Sequence, residues 1–182
     1  MIGCAEFILG YDWTFEYLRR TYGPDAVRRY WEECISVDSQ GHARELIIPG
    51  GIAGMEEYWG HTLAEEEAGY TSVSADGCFR IDMYACPSQG LLKAKGQECY
   101  GDYCEHCMGW IEPVLREAGF VVHHAHNHNC QCYWEIVPAR EAPPVSAVGE
   151  LAGADDIRLR DGWDTGRVDV WTASVREEEN ER

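Results

Sequence analysis

The sequence predicts an α+β protein, with N-terminal helices followed by ββ-αα-ββ whose strands form an antiparallel sheet, plus a C-terminal hairpin extension. Three observations carry this. Apolar residues recur at helical spacing through the first third of the chain, and the period changes to alternation after Ala68. Between the first two alternating stretches stands Asp76-Gly77, the strongest kind of short hairpin signal. The 182 residues fit one domain of ordinary size.

Asp12 is placed to cap a helix over 13–22, and Gly23-Pro24 then breaks it and opens a second through residue 34. Phe15, Leu18, Val27, Tyr30 and Trp31 make its core-facing stripe, with arginines between them. A third helix is expected over 52–68, with Met55, Tyr58, Trp59 and Leu63 on one side and Glu65, Glu66 and Glu67 as a solvated end. Strands follow at 70–75 and 78–84. Pro87 starts a short helix, and a longer one beginning near Tyr103 carries Trp110, Ile111, Val114 and Leu115 until Gly119 stops it. A second hairpin is expected from 120–126 and 132–137. Residues 1–138 thus read as one cysteine-rich domain. Residues 138–153 read as an Ala-, Pro-, Gly- and Ser-rich linker, and 157–160 with 167–175 as an extra hairpin around a turn-rich centre. That hairpin is expected to pack back or to reach a second copy or partner subunit, making the chain a homo-oligomer or part of an assembly. Residues 177–182 read as a disordered acidic tail.

Charge excludes whole classes of partner. Lys+Arg total 15 against 32 Asp+Glu, a formal charge of −17, so neither nucleic acid nor an anionic membrane surface is an expected partner. Lys93 and Lys95 are the only lysines, which disfavours Schiff-base and P-loop chemistry. No apolar run is long enough to span a membrane, and the first residues lack a basic n-region, so a cytoplasmic location is expected. Thiols in that reducing compartment point to metal binding or catalysis more than to disulfides.

Six of the nine cysteines and five of the seven histidines fall between Cys86 and Cys132. Cys104 and Cys107 form a Cys-x-x-Cys at a predicted helix start, where backbone N–H groups favour a thiolate. Cys130 and Cys132 share a face if extended, and His124, His126 and His128 share that parity. Cys4, Cys34 and Cys78 read as packed small hydrophobes, and His123, His124 and His126 as strand-surface residues. Tetrahedral zinc would suit two thiolates from the helix start and two N or S donors from the last hairpin.

The stretch Cys86-Pro87, Leu91-Leu92, Gly96, Tyr103-Cys104-Glu105-His106-Cys107, Leu115, Gly119 and Cys130-Gln131-Cys132-Tyr133-Trp134-Glu135-Ile136 resembles the L-2-amino-thiazoline-4-carboxylic acid hydrolase family, over about 52–137. The family's recurrent cysteines fall on Cys86, Cys104 and Cys132. Family members commonly carry Asp where this chain has Cys107, and a Gly-Asp turn where it has His128-Asn129-Cys130; both exchanges bring softer ligands. The resemblance implies hydrolysis of a small cyclic amidine or thiazoline carboxylate, with water adding at C2 to open the ring. Such chemistry needs a nucleophile, a proton shuttle and a cation for the carboxylate. Cys104 is the candidate nucleophile, His106 and His128 the acid–base candidates with Glu105 a weaker one, and Arg80, Trp110 and Trp134 the substrate-binding candidates. Zinc held by Cys86, Cys104, Cys107 and Cys132 is the expected metal. The alternatives are a non-catalytic subunit binding a metal or iron–sulfur cluster, and a small-molecule sensor with an aromatic pocket.

Overall fold

The computed structural model describes residues 4–141 and 143–171, with side chains from Glu6 onward. It is an α+β fold in which helices cover one face of a five-stranded antiparallel sheet. Helix α1 spans Cys4–Tyr22, starting nine residues earlier than expected, so Asp12 lies inside it. There Asp12 is buried, accepting hydrogen bonds from the Tyr100 N–H (2.8 Å) and from Gln97 Nε2 (2.9 Å). Gly23 takes a φ of 88°, open to glycine without strain, and Pro24 begins α2, Pro24–Arg29. A π-helical stretch, Tyr30–Ser39, continues it. Phe15, Val27, Trp31 and Ile35 are buried together with Leu92, Tyr100 and Tyr103, so the stripe is a core face.

Helix α3, Gly41–Glu65, starts eleven residues before the expected position and bends at Gly51, two residues after Pro49. The polar and glycine-rich lead-in concealed its first half. Strands β1 (Gly69–Ala75) and β2 (Cys78–Ala85) meet at Asp76-Gly77, both with positive φ, as the hairpin signal requires. Helix α4 spans Pro87–Ala94, a 3₁₀ turn Tyr103–Glu105 leads into α5, His106–Glu117, and β3 (Phe120–His126) pairs with β4 (Cys132–Pro138).

Alternation along the strands decides what each face does. Phe79, Ile81, Met83, Val122, Trp134 and Ile136 bury against Ile47, Met55, Trp59, Ile111 and Leu115 of α3 and α5. Ala125 and Tyr133, together with Ile157 and Trp163 from the C-terminal segment, form a separate cluster. The expected C-terminal hairpin is not what forms. Ile157–Leu159 is a 3₁₀ turn, and β5 (Asp169–Trp171) pairs with β3 at the sheet edge, completing the order β1-β2-β4-β3-β5. The unpaired edge of β3 offers backbone groups that a following strand satisfies better than a free-standing hairpin does. The expected continuation to residue 175 and the acidic tail lie outside the described residues.

Candidate metal centre

Three segments far apart in the chain meet beside the start of α5. The ligand atoms of Cys104, His126 and His128 all lie within 4.8 Å of one another, and so do those of Glu105, His126 and Asp169. Cys104 and Glu105 come from the 3₁₀ turn, His126 ends β3, His128 sits in the β3–β4 loop and Asp169 lies on β5.

The loop carrying His128 is held tightly. His128 and Cys130 take positive φ values of 55° and 64°. Around them Asn129 N–H donates to Asn127 Oδ1 (2.9 Å), Cys130 N–H to Gln89 Oε1 (2.6 Å), and Lys93 Nζ to the His128 carbonyl (2.9 Å). Interlocking bonds of this kind sustain backbone conformations that would otherwise relax.

Each histidine ring is oriented by an acceptor. His126 Nε2 lies 2.8 Å from Glu105 Oε1, and His128 Nε2 lies 2.8 Å from Asp169 Oδ2. His124 Nδ1 lies 2.8 Å from the Tyr133 carbonyl. With Nε2–H donating to Glu105, the Nδ1 lone pair of His126 is buried and has no hydrogen-bond partner; Nε2 of His124 is left in the same state. A carboxylate holding one ring nitrogen while the other presents a lone pair is the outer-shell arrangement found at histidine metal ligands. Glu105 is kept below the usual carboxylate range by its hydrogen bond from His126, and Asp169 by Arg167 first and His128 second.

The thiols behave differently from the sequence argument. Cys104 was expected to be an acidic thiol at a helix start. In the structure a 3₁₀ turn separates it from α5, and burial, then the neighbouring Cys86, Cys99 and Cys130, push its pKa up. Dehydration outweighs the helix-terminal effect, so a free Cys104 thiolate is disfavoured until a cation binds it. Burial likewise pushes Cys86 up to about 11, and Cys107 and Cys132 well above the normal range, with neighbouring thiols adding to each. The four expected zinc cysteines are thus electrostatic neighbours, yet of the four only Cys104 belongs to the close donor groups found among the described residues. Cys86, Cys107 and Cys132 pack against the main core, where apolar contacts occupy their surroundings.

Of the acid–base candidates, His128 joins Cys104. His106 instead packs between Tyr103 and Trp110, its Nδ1 bonded to the Tyr103 carbonyl and its Nε2 3.4 Å from Cys107 Sγ. Burial lowers its pKa to about 4 and that of His124 to about 3, so both are neutral near pH 7. Arg80 is fully buried, bonding Asp82 at 2.7 Å, Glu135 at 2.7 Å and Asp156 at 3.1 Å, and cannot reach a substrate carboxylate. Trp134 stacks edge-on against Trp59 and His124 in the core, and Trp110 packs against Tyr11 and Phe15. Cys78 is buried as expected, whereas Cys34 is exposed on the π-helical stretch. Cys4 lies where side chains are not described.

The reading of His123, His124 and His126 as strand-surface residues is corrected: all three are buried, and His126, 2% exposed, is central to both donor groups. Its shared parity with His124 and His128 was the available signal. Asp169 carried none, since it reaches the site only through the β3–β5 pairing. No helix among the described residues is long and apolar enough to cross a membrane. Compared with known proteins, the chain matches no family model, no curated protein and no solved structure.

Proposed function

We propose that this chain is a metal-dependent hydrolase acting on a small cyclic amidine or thiazoline carboxylate. The observation that carries the reading is the Cys104–His126–His128 donor group, its imidazoles backed by Glu105 and Asp169. One thiolate and two imidazoles suit zinc, and three protein donors leave a fourth position open, the pattern of catalytic rather than structural zinc. An iron–sulfur cluster is less well served, because it wants several thiolates and this group offers one. Cys104, His126 and His128 would hold the metal, and a zinc ion there would supply Lewis acidity to lower the pKa of water or polarise the substrate.

The chain's own groups supply the rest. Glu105, ionised and hydrogen-bonded to His126, is placed to take the proton of the attacking water. Water oxygen bonds to the amidine C2 as the ring nitrogen takes the proton held by Glu105; the ring C–N bond then breaks, the new hydroxyl becomes the carbonyl, and its proton leaves with the nitrogen as an amine. Asp169 and Glu105 hold the rings of His128 and His126 in one tautomer.

The test measures metal content in protein purified without oxygen, then ring opening of 2-aminothiazoline-4-carboxylate. About one zinc per chain is expected, falling at least about 10-fold in Cys104→Ser and in His126→Ala, with turnover lost in parallel. Metal bound without turnover would leave a non-catalytic metal-binding subunit. Wild-type protein without metal would overturn the metal centre itself.

A further inference from the structure

A cavity of about 200 Å³ adjoins the donor cluster and shares Glu105 with it. Its walls include three aromatic residues, Trp31, Tyr100 and Trp171, and three carboxylates, Glu32, Asp102 and Glu105. These come from the π-helical stretch, the loop before α5, the 3₁₀ turn and β5. Gly109 of α5 also lines it, and glycine is needed there: a Cβ would come within 2.6 Å of the Trp31 ring. The sequence residues expected to bind substrate line none of it.

We propose that this cavity binds a small flat organic cation whose ring lies among the aromatic walls and whose charge faces the carboxylates. The proposal deepens the hydrolase reading by assigning the charge of its substrate, and it rests on that reading only for the reaction that follows binding. Size is the first argument. A cavity of roughly 150 Å³ holds benzene, so this one, partly open to solvent, seats a five- or six-membered ring with one or two substituents. Charge is the second. Arg28 is the cation among the described lining residues; it is largely exposed and already bonded to Asp25. Asp102 has Arg167 at 3.9 Å, an exposed pair that shields little. Glu32 has no ion pair among the described residues, and Glu105 faces an imidazole. The lining therefore holds more negative than positive charge, on a chain with a formal charge of −17. Wall chemistry is the third argument, because indole and phenol faces attract cations and accept flat rings. Among the described residues Arg28 is the one guanidinium lining the cavity, set against three carboxylates, and Arg80 is sealed beneath the sheet, so a cation gains more here than a carboxylate does.

The experiment follows tryptophan fluorescence during titration with 2-aminothiazoline, its 4-carboxylate and the uncharged 2-methylthiazole, using chelator-treated and zinc-loaded full-length protein. The cation is expected to bind at least about 10-fold more tightly than the uncharged ring, and no more weakly than the carboxylate. Glu32→Gln, an exposed change that spares the fold, should weaken the cation about 10-fold and leave the uncharged ring unaffected; Trp171→Ala should weaken both. Equal binding of charged and uncharged rings, preference for the carboxylate, or no effect of Glu32→Gln would overturn the proposal. Cation binding that survives in chelated protein, with no turnover when zinc is restored, would sustain it and reject hydrolysis alone.

Discussion

Asp156 shows how strongly a single residue depends on its surroundings. Burial would raise its pKa, but the Arg158 side chain, the N–H groups of Gly149 and Arg158, and Arg80 hold the anion and bring it down to about 2. Its guanidinium neighbours also lie over the Tyr133 ring, Arg80 at 4.5 Å and Arg158 at 5.2 Å from the centroid. The sign of the pH effect follows from linkage. A carboxyl whose folded pKa lies below its unfolded value of about 3.8 stabilises the fold fully above that value, and loses the contribution as pH falls toward 2. Urea titrations between pH 5 and 2 should therefore show a steep acid limb in the wild type and a shallower one in Asp156→Asn. Parallel profiles would mean that other carboxyls govern acid unfolding. Arg80 itself was legible only as a strand arginine, because a window of sequence cannot tell a solvated guanidinium from one enclosed by three carboxylates.

At the scale of elements, α3 is the informative case. It runs through Pro49, turns sharply at Gly51 (φ 56°, ψ −130°) and resumes so close to its first half that a Cβ on Gly54 would lie 2.0 Å from the Leu46 carbonyl oxygen. Gly60, farther along the same helix, has nothing within 4 Å. Gly54→Ala should lower stability by about 1–3 kcal/mol through enforced overpacking, while Gly60→Ala should raise it by up to about 1 kcal/mol through helix propensity. Denaturant midpoints measure both, and an unchanged midpoint for Gly54→Ala would show that the bend is not required. The second half of α3 was readable from Met55, Trp59 and Leu63 because their spacing is local. The first half was not, since its glycines and proline are individually helix-breaking and only packing against α5 and the sheet keeps it helical.

For the whole molecule, the described part of the C-terminal segment is structural, and truncation is the direct test. Read as a linker and an extra hairpin beyond the domain 1–138, the segment after Ala147 would be dispensable for the core, and cutting there would leave a folded domain with altered assembly. The structure shows that the cut would remove Asp156 from Arg80, strip Ile157 and Trp163 from their cluster with Ala125 and Tyr133, and take Asp169 from His128. Leaving a buried ion network incomplete costs about 3–5 kcal/mol, a large share of the roughly 5–15 kcal/mol that stabilises a domain. The truncated protein should lose near-UV circular dichroism and cooperative unfolding; a native-like transition would restore the dispensable-extension reading. Sequence alone determined the α+β class, both hairpins with their strand bounds to within a residue or two, and the region where cysteine and histidine concentrate. Those properties are written in short windows of periodicity and turn chemistry. Tertiary structure alone decided that His126 and Asp169 join Cys104, that Arg80 is enclosed, and that burial raises the thiol pKa values. Each of these depends on which distant segments share one dehydrated volume, and the pairing of β5 with β3 that brings Asp169 to the site leaves no local trace in the chain.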